Sequence, residues 1–145
     1  MSTVADPIAQ ALGRDRTIDI VTTGARTGRR RSTEIWYHRI DGQIVICGRP
    51  SAAGPLAPRQ RRDWLANLKA CPEFDFCLKE SVQACLTARA RVVAGQTERH
   101  RLMSAPQVQW YRDQGFTVED LALGAPIVDV RFTGKFAYLN DGSYR

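Results

Sequence analysis

The stretch TIDIVTTGARTGRRRSTEIWYHRIDGQIVICG, residues 17–48, decides the fold. Thr17 to Thr23 is rich in β-branched and apolar residues, which predicts a strand that runs into Gly24. Gly24-Ala25-Arg26-Thr27-Gly28 follows as a turn with glycine at both ends, and Arg29, Arg30 and Arg31 come directly after it. Ser32 to Ile40 alternates in polarity and contains Ile35, Trp36 and Tyr37, a second strand. Asp41-Gly42 is a strong hairpin signal because both central residues of such a turn need positive φ, and it leads into a third strand, Gln43 to Gly48.

Working outward, Asp6 to Leu12 places Pro7 at a first helical position and Ile8, Ala11 and Leu12 on one face, a short helix closed by Gly13. Arg49 to Arg61 holds three prolines and a glycine, which predicts a surface loop. Asp63 to Ala70 carries Trp64, Leu65 and Leu68 at helical spacing, with Cys71-Pro72 ending the helix. Glu73 to Glu80 and Ala84 to Ala94 both alternate: Phe74, Phe76 and Leu78 in the first, then Leu86, Ala88, Ala90 and Val92 against outward Arg89 and Arg91. Thr97 to Tyr111 reads as a helix interrupted near Pro106, Phe116 to Leu123 as a short helical turn, and Pro126 to Thr133 as a last strand. About six strands, with a helix inserted after the third, predict a mainly β chain: a closed antiparallel barrel decorated by helices.

At 145 residues the expectation is one domain, 1–145, with residues 1–16 as a helical lead-in. No apolar run is long enough to span a bilayer, so no stable membrane anchor is expected. Met1 to Arg16 carries an early acid and no long apolar stretch, unlike a secretory signal, and cytoplasmic residence follows as the default expectation. Cys47, Cys71, Cys77 and Cys85 form no CxxC pair and match no common zinc spacing, so they are expected to be buried reduced thiols. His38 and His100 lack an obvious third ligand, and no metal is expected.

Charge is strongly localised. Residues 26–62 hold nine arginines against only Glu34 and Asp41, a local +7 within a total of +6, which leaves −1 for the other 108 residues. Arginine outnumbers lysine 18 to 3, and its planar fork suits bidentate contact with phosphate or carboxylate. Glycine turns let backbone amides approach an anion closely. The Arg29–Arg31 triplet equally suits a solvated turn that serves solubility. A nucleic-acid backbone would also satisfy such charge. Trp36 and Tyr37 fall on opposite faces of one strand, however, so at most one faces a ligand, and no DNA- or RNA-binding signature is present. No nucleic-acid partner is expected.

The run from Ile20 to Arg31, followed by Trp36-Tyr37-His38 and Asp41-Gly42, resembles the deazaflavin-dependent nitroreductase family. Trp64-Leu65-Ala66-Asn67-Leu68 with Pro72 is similar to that family's Trp-x-x-Asn-Leu-x-x-x-Pro pattern, and the two blocks together cover residues 18–94. The resemblance implies a split β-barrel related to the flavin-binding barrels, with coenzyme F420 as cofactor and FMN as the alternative. It further implies that Arg26, Thr27, Gly28 and Arg30 or Arg31 hold the acidic tail, with Arg49 and Ser51 standing for the family's Lys and Ser after the third strand. Trp64, Asn67 and their helix would flank the deazaflavin ring. Read from the residues alone, Trp64 is a packing residue, and Asn67 needs a partner if buried or else caps local backbone. The activity implied is hydride transfer to an electron-poor small molecule such as a quinone or nitroaromatic, with the cofactor supplying the redox chemistry. A non-catalytic barrel holding FMN, haem or a fatty acid is the alternative. A homodimer is a further expectation.

Overall fold

The structure, a computed structural model, describes residues 6–50 and 63–142. Seven antiparallel strands form one curled sheet in the order β2-β1-β5-β6-β7-β4-β3. They are β1 Thr17–Thr23, β2 Arg30–Trp36, β3 His38–Ile40, β4 Gln43–Cys47, β5 Glu73–Leu78, β6 Ala84–Val92 and β7 Ile127–Phe132. The helices are α1 Pro7–Arg14, α2 Asp63–Ala70, α3 Gln96–Met103, α4 Gln109–Asp113 and α5 Val118–Gly124. Asp6 caps α1 through its side chain, accepting from the N–H groups of Ile8 and Ala9 at 3.0 and 3.2 Å, and Gly13 is inside that helix rather than its end. A 3₁₀ turn at Pro106–Val108 is where the proline stops α3 from continuing into α4.

The strand count exceeds the expected six because Ser32 to Ile40 is two strands. Tyr37 is the break. β2 pairs with β1 from Arg30 to Trp36, whereas β3 pairs with β4 from His38 to Ile40. The strands at the two edges of the sheet are therefore joined by one residue, which forces the sheet to curl until its edges meet there. Tyr37 is 1% exposed, its N–H donates to the Arg16 carbonyl at 2.9 Å, and its hydroxyl reaches the Leu12 carbonyl at 2.8 Å. Sequence alternation continues straight through this pivot, so periodicity alone does not reveal it.

Asp41 and Gly42 both take positive φ, 50° and 80°, and close the β3–β4 hairpin as the Asp-Gly signal requires. The inner faces of the strands meet in one core, with Ile18, Ile20, Phe76, Leu86 and Phe132 all at or below 2% exposure. Phe76 makes edge contacts with Tyr37 and Phe132 at 5.1 and 5.2 Å. β4 is buried on both sides: Ile44 and Ile46 face that core, while Val45 and Cys47 pack with Leu102, Met103 and Leu121 of α3 and α5 in a second one.

The expectation of four reduced cysteines fails at one pair. Cys77 and Cys85 stand opposite each other in the β5–β6 register, with Cα atoms 4.0 Å apart, and form a disulfide. The spacing of eight residues hides this until the length of the connecting turn fixes Leu78 against Ala84. Cys47 and Cys71 are free, the former buried. The 3₁₀ segment Gly134–Asp141 also lacks a sequence signal; the Asn140 amide holds it to the last strand by bonding both backbone groups of Phe132 at 2.8 Å.

If Tyr37 fixes the closure, Tyr37→Phe costs about 1–2 kcal/mol in denaturant unfolding, because the buried bond from the phenol to the Leu12 carbonyl is lost and only Arg39 remains on that oxygen. Unchanged stability would show that the pivot is held by packing alone.

Candidate active site

Two cavities line the free edge of the sheet at β2. The first, about 230 Å³, sits at the start of the strand and is bounded by Gly24, Arg26, Thr27, Arg31, Asp63 and Asn67. Its floor is the turn that the sequence marked. Gly28 takes φ 69°, its N–H closes onto the Gly24 carbonyl at 2.9 Å, and the Gly24 N–H closes onto the Arg29 carbonyl at 2.7 Å. A Cβ at Gly24 would meet Thr27 Oγ1 at 2.7 Å and the Arg29 carbonyl at 3.2 Å, so a larger residue there has to displace Thr27 and crowds the turn. Among the described residues the N–H groups of Arg26 and Thr27 take no protein partner. Two open amides flanked by two guanidinium groups suit a phosphate or carboxylate. Asp63, at the start of α2, places one carboxylate on the same wall.

Asn67 fixes this turn to α2. It is 6% exposed, its Oδ1 accepts from the Ala25 N–H at 2.9 Å, and its Nδ2 donates to Thr22 Oγ1 at 3.1 Å. Both expectations for this residue thus meet in one side chain: it is buried with partners, and those partners belong to the anion turn. Trp64 is half-buried and packs against the inner core, outside the lining of either cavity.

Alternation along β2 separates the two arginines that the sequence left interchangeable. Arg31 shares its face with Ile35 and opens into the turn cavity. Arg30 lies on the opposite face and is paired with Asp75 of β5 at 2.6 Å. Arg39 leaves the cationic group altogether, since its Nη1 bonds the carbonyls of Leu12 and Asp15 at 2.9 and 2.7 Å. Ser51 and Arg59, Arg61 and Arg62 lie outside the described residues.

The second cavity, about 280 Å³, opens at the other end of β2, between Glu34–Trp36 and the end of β4, and includes Arg49 and Trp110. Its walls are aromatic. Trp36 and Trp110 stand edge to face at 5.4 Å, Trp110 and Tyr111 at 5.1 Å, and the Arg16 guanidinium lies 3.8 Å over the Trp36 ring. Trp110 remains 39% exposed, unusual for so large a side chain, which leaves a flat apolar face open to a ligand. Arg31 and Ile35, which share a face of β2 and line the two cavities in turn, are four residues apart, or about 13 Å along a strand. An anion pocket and an aromatic groove at that separation suit a molecule with a planar ring and an acidic tail. Arg49 is therefore placed with the aromatic groove rather than with the tail cavity.

Burial shapes the titration of the groove. It pushes the Cys47 thiol up to about 12 and the Tyr111 phenol above its ordinary range, so both stay protonated near neutrality. His38, behind the groove, is held down at about 4 by burial and by the Arg16 and Arg39 charges.

A curled antiparallel sheet with both cavities on one split edge defines the split β-barrel class. The model of the F420H(2)-dependent quinone reductase family matches residues 3–121, and the chain belongs to that family. Coenzyme F420 is the family's cofactor, in agreement with the expectation from the sequence blocks. No curated protein matches the sequence. Among solved structures, a conserved hypothetical protein of Mycobacterium tuberculosis, Rv2991, is similar at 21% identity over 89% of this chain and 80% of its own, with a TM-score of 0.57. A protein described as a domain-swapped dimer is 18% identical over 80% of each chain, TM-score 0.53. HutZ, a haem storage protein of Vibrio cholerae, is 12% identical over 91% of this chain and 92% of its own, TM-score 0.58. At these identities the likeness concerns the fold.

Asn67→Ala leaves the Ala25 N–H and the Thr22 hydroxyl unpaired and is expected to cost about 1–3 kcal/mol. Hydrogen exchange at Ala25 should accelerate together with this loss. Protection of Ala25 that survives the substitution would mean that the turn does not depend on Asn67.

Proposed function

We propose that this chain is a reductase that passes a hydride from reduced F420 to a small electron-poor acceptor of the quinone type, with nitroaromatics as the neighbouring class. The observation that carries the reading is the pairing on β2: an anion cavity at Arg31 and an aromatic groove at Glu34–Trp36, on one edge of a barrel from an F420-dependent family. Arg26, Thr27 and Arg31 would hold the acidic tail through two guanidinium groups and two backbone amides. Gly24, Gly28 and Asn67 keep those amides aimed. Trp36 and Trp110 would bracket the ring and its acceptor, with Arg49 at the margin of the groove.

When bound, the deazaflavin supplies the hydride chemistry, and the protein's work is orientation and exclusion of water. Among the described residues no helix is long and apolar enough to cross a membrane. Cytoplasmic residence and a homodimer belong to the same proposal, the latter supported by a fold neighbour described as a dimer.

Fluorescence titration with F420, FMN and haem tests the reading. F420 is expected to bind more tightly than the other two. Arg31→Ala should weaken F420 by about 1–3 kcal/mol, as for loss of one hydrogen bond to a charged group. Arg30→Ala, which breaks only an exposed ion pair on the far face, should leave the affinity within about twofold. Equal losses in both variants would mean that diffuse charge, not a built cavity, binds the tail, and tighter binding of haem would favour the non-catalytic alternative.

A further inference from the structure

Behind the aromatic groove lies a larger cavity, about 690 Å³, which is open to solvent and lined by Arg14, Arg16, His38 and Arg39 among others. The wall between the two spaces contains a short chain of polar atoms. His38 Nε2 stands 3.4 Å from Tyr111 Oη, and Tyr111 Oη stands 3.3 Å from the Cys47 carbonyl oxygen. Both side chains are at most 5% exposed, yet His38 lines the outer cavity, and Tyr111 with Cys47 lines the groove. Both contacts are at the long end of the hydrogen-bond range, so the hydroxyl is weakly held and free to turn.

The proposed reaction needs something the groove must provide. Reducing a quinone to a hydroquinone consumes a hydride and a proton. Of the groove's side chains, Arg49 does not give up its proton, and Glu34 is tied to Lys79 on the outer face. The Cys47 thiol is buried against the Tyr111 hydroxyl, so its path to the outer cavity runs through Tyr111. Tyr111 alone combines a transferable proton with a connection to a solvent-filled space. The group behind it is suited to refill it. His38 is faced by Tyr111 from α4, by Arg16 from the segment before β1, and by Arg39 beside it on β3; its burial, and then the two arginines, disfavour a further positive charge. A neutral imidazole carries one N–H and one bare nitrogen, which is what passing a proton through requires.

We propose that Tyr111 delivers the proton consumed in acceptor reduction and that His38 replaces it from the outer cavity. The inference rests on the hydride-transfer reading above. The electron pair and one hydrogen reach the quinone as hydride from the reduced deazaflavin, which is oxidised by two electrons and releases one proton to solvent. The quinone oxygen left as an anion takes the Tyr111 proton. As that O–H bond breaks, His38 Nε2–H passes its proton to Tyr111 Oη, and a water of the outer cavity protonates Nδ1. The hydroxide so formed is neutralised by the proton the cofactor released, and the protein carries no net charge change. A flip of the His38 ring, left as its Nδ1–H tautomer, returns an N–H to face Tyr111 for the next turnover.

Two acceptors separate this role from a structural one. A benzoquinone needs the proton, whereas the N-methylacridinium cation becomes neutral on taking a hydride alone. With F420-loaded protein, Tyr111→Phe and His38→Phe should lower benzoquinone turnover by about 100-fold, within the range for a positioned proton donor. N-methylacridinium reduction should stay within a few fold of the wild type. In the cofactor-free protein, nitrogen-15 spectra at neutral pH should show a neutral His38 with the proton on Nε2, and a shifted Nε2 resonance in Tyr111→Phe. Parallel losses with both acceptors, undiminished quinone turnover, or a doubly protonated His38 would each overturn the relay. Wild-type protein that binds F420 and reduces neither acceptor, or that binds no F420, would instead overturn the function on which the relay rests.

Discussion

Everything in this barrel depends on the buried pivot at Tyr37. One residue joins strands that sit at opposite edges of the sheet, so the sheet has to curl, and the phenol is anchored to the carbonyls of α1 while its N–H is anchored to Arg16. Closure occurs at the Trp36 end of β2, and the Arg30 end is left facing α2. That geometry gives β2 a free edge with a glycine turn at one end and a tryptophan at the other. The anion cavity and the aromatic groove are consequences of this arrangement.

The arginine-rich segment divides into separate roles once it is folded. Arg31 and Arg26 open into the turn cavity, Arg30 is neutralised by Asp75, Arg39 ties α1 to β3 through backbone carbonyls, and Arg16, outside that segment, covers Trp36. Exposed ion pairs such as Arg30–Asp75 contribute little to stability, about 0–1 kcal/mol. Arg26 and Arg31 line the turn cavity, and in the proposed function their charges serve to attract an anion rather than to hold the fold together. Asn67 complements them, because a neutral buried amide fixes the turn without adding charge to the cavity.

Much of the fold was legible because its signals are local. Thr17–Thr23 and Asp63–Ala70 match their predicted bounds, the Asp41-Gly42 hairpin takes the required positive φ, and Pro106 breaks the helix where expected. What escaped depends on register or on contacts distant in sequence. The Tyr37 break is invisible because alternation carries through it. The Cys77–Cys85 disulfide follows from how β5 and β6 align, and the His38–Tyr111 contact joins residues 73 positions apart. At the site, the glycine turn, Arg31 and Asn67 were readable as a group, whereas only strand alternation in the folded sheet distinguishes Arg31 from Arg30. The open face of Trp110 needed the structure, because the sequence favours packing for so large a ring.

The three tryptophans provide the most direct test of the central claim, since two line the groove and the third packs on the core. In proton–nitrogen correlation spectra, adding F420 is expected to shift the indole signals of Trp36 and Trp110 and the amides of Ala25 to Gly28 and Arg31, and to leave the Trp64 indole in place. Shifts confined to the residues around His38 and Arg14, with the Trp36 and Trp110 indoles unmoved, would contradict a cofactor site along the edge of β2.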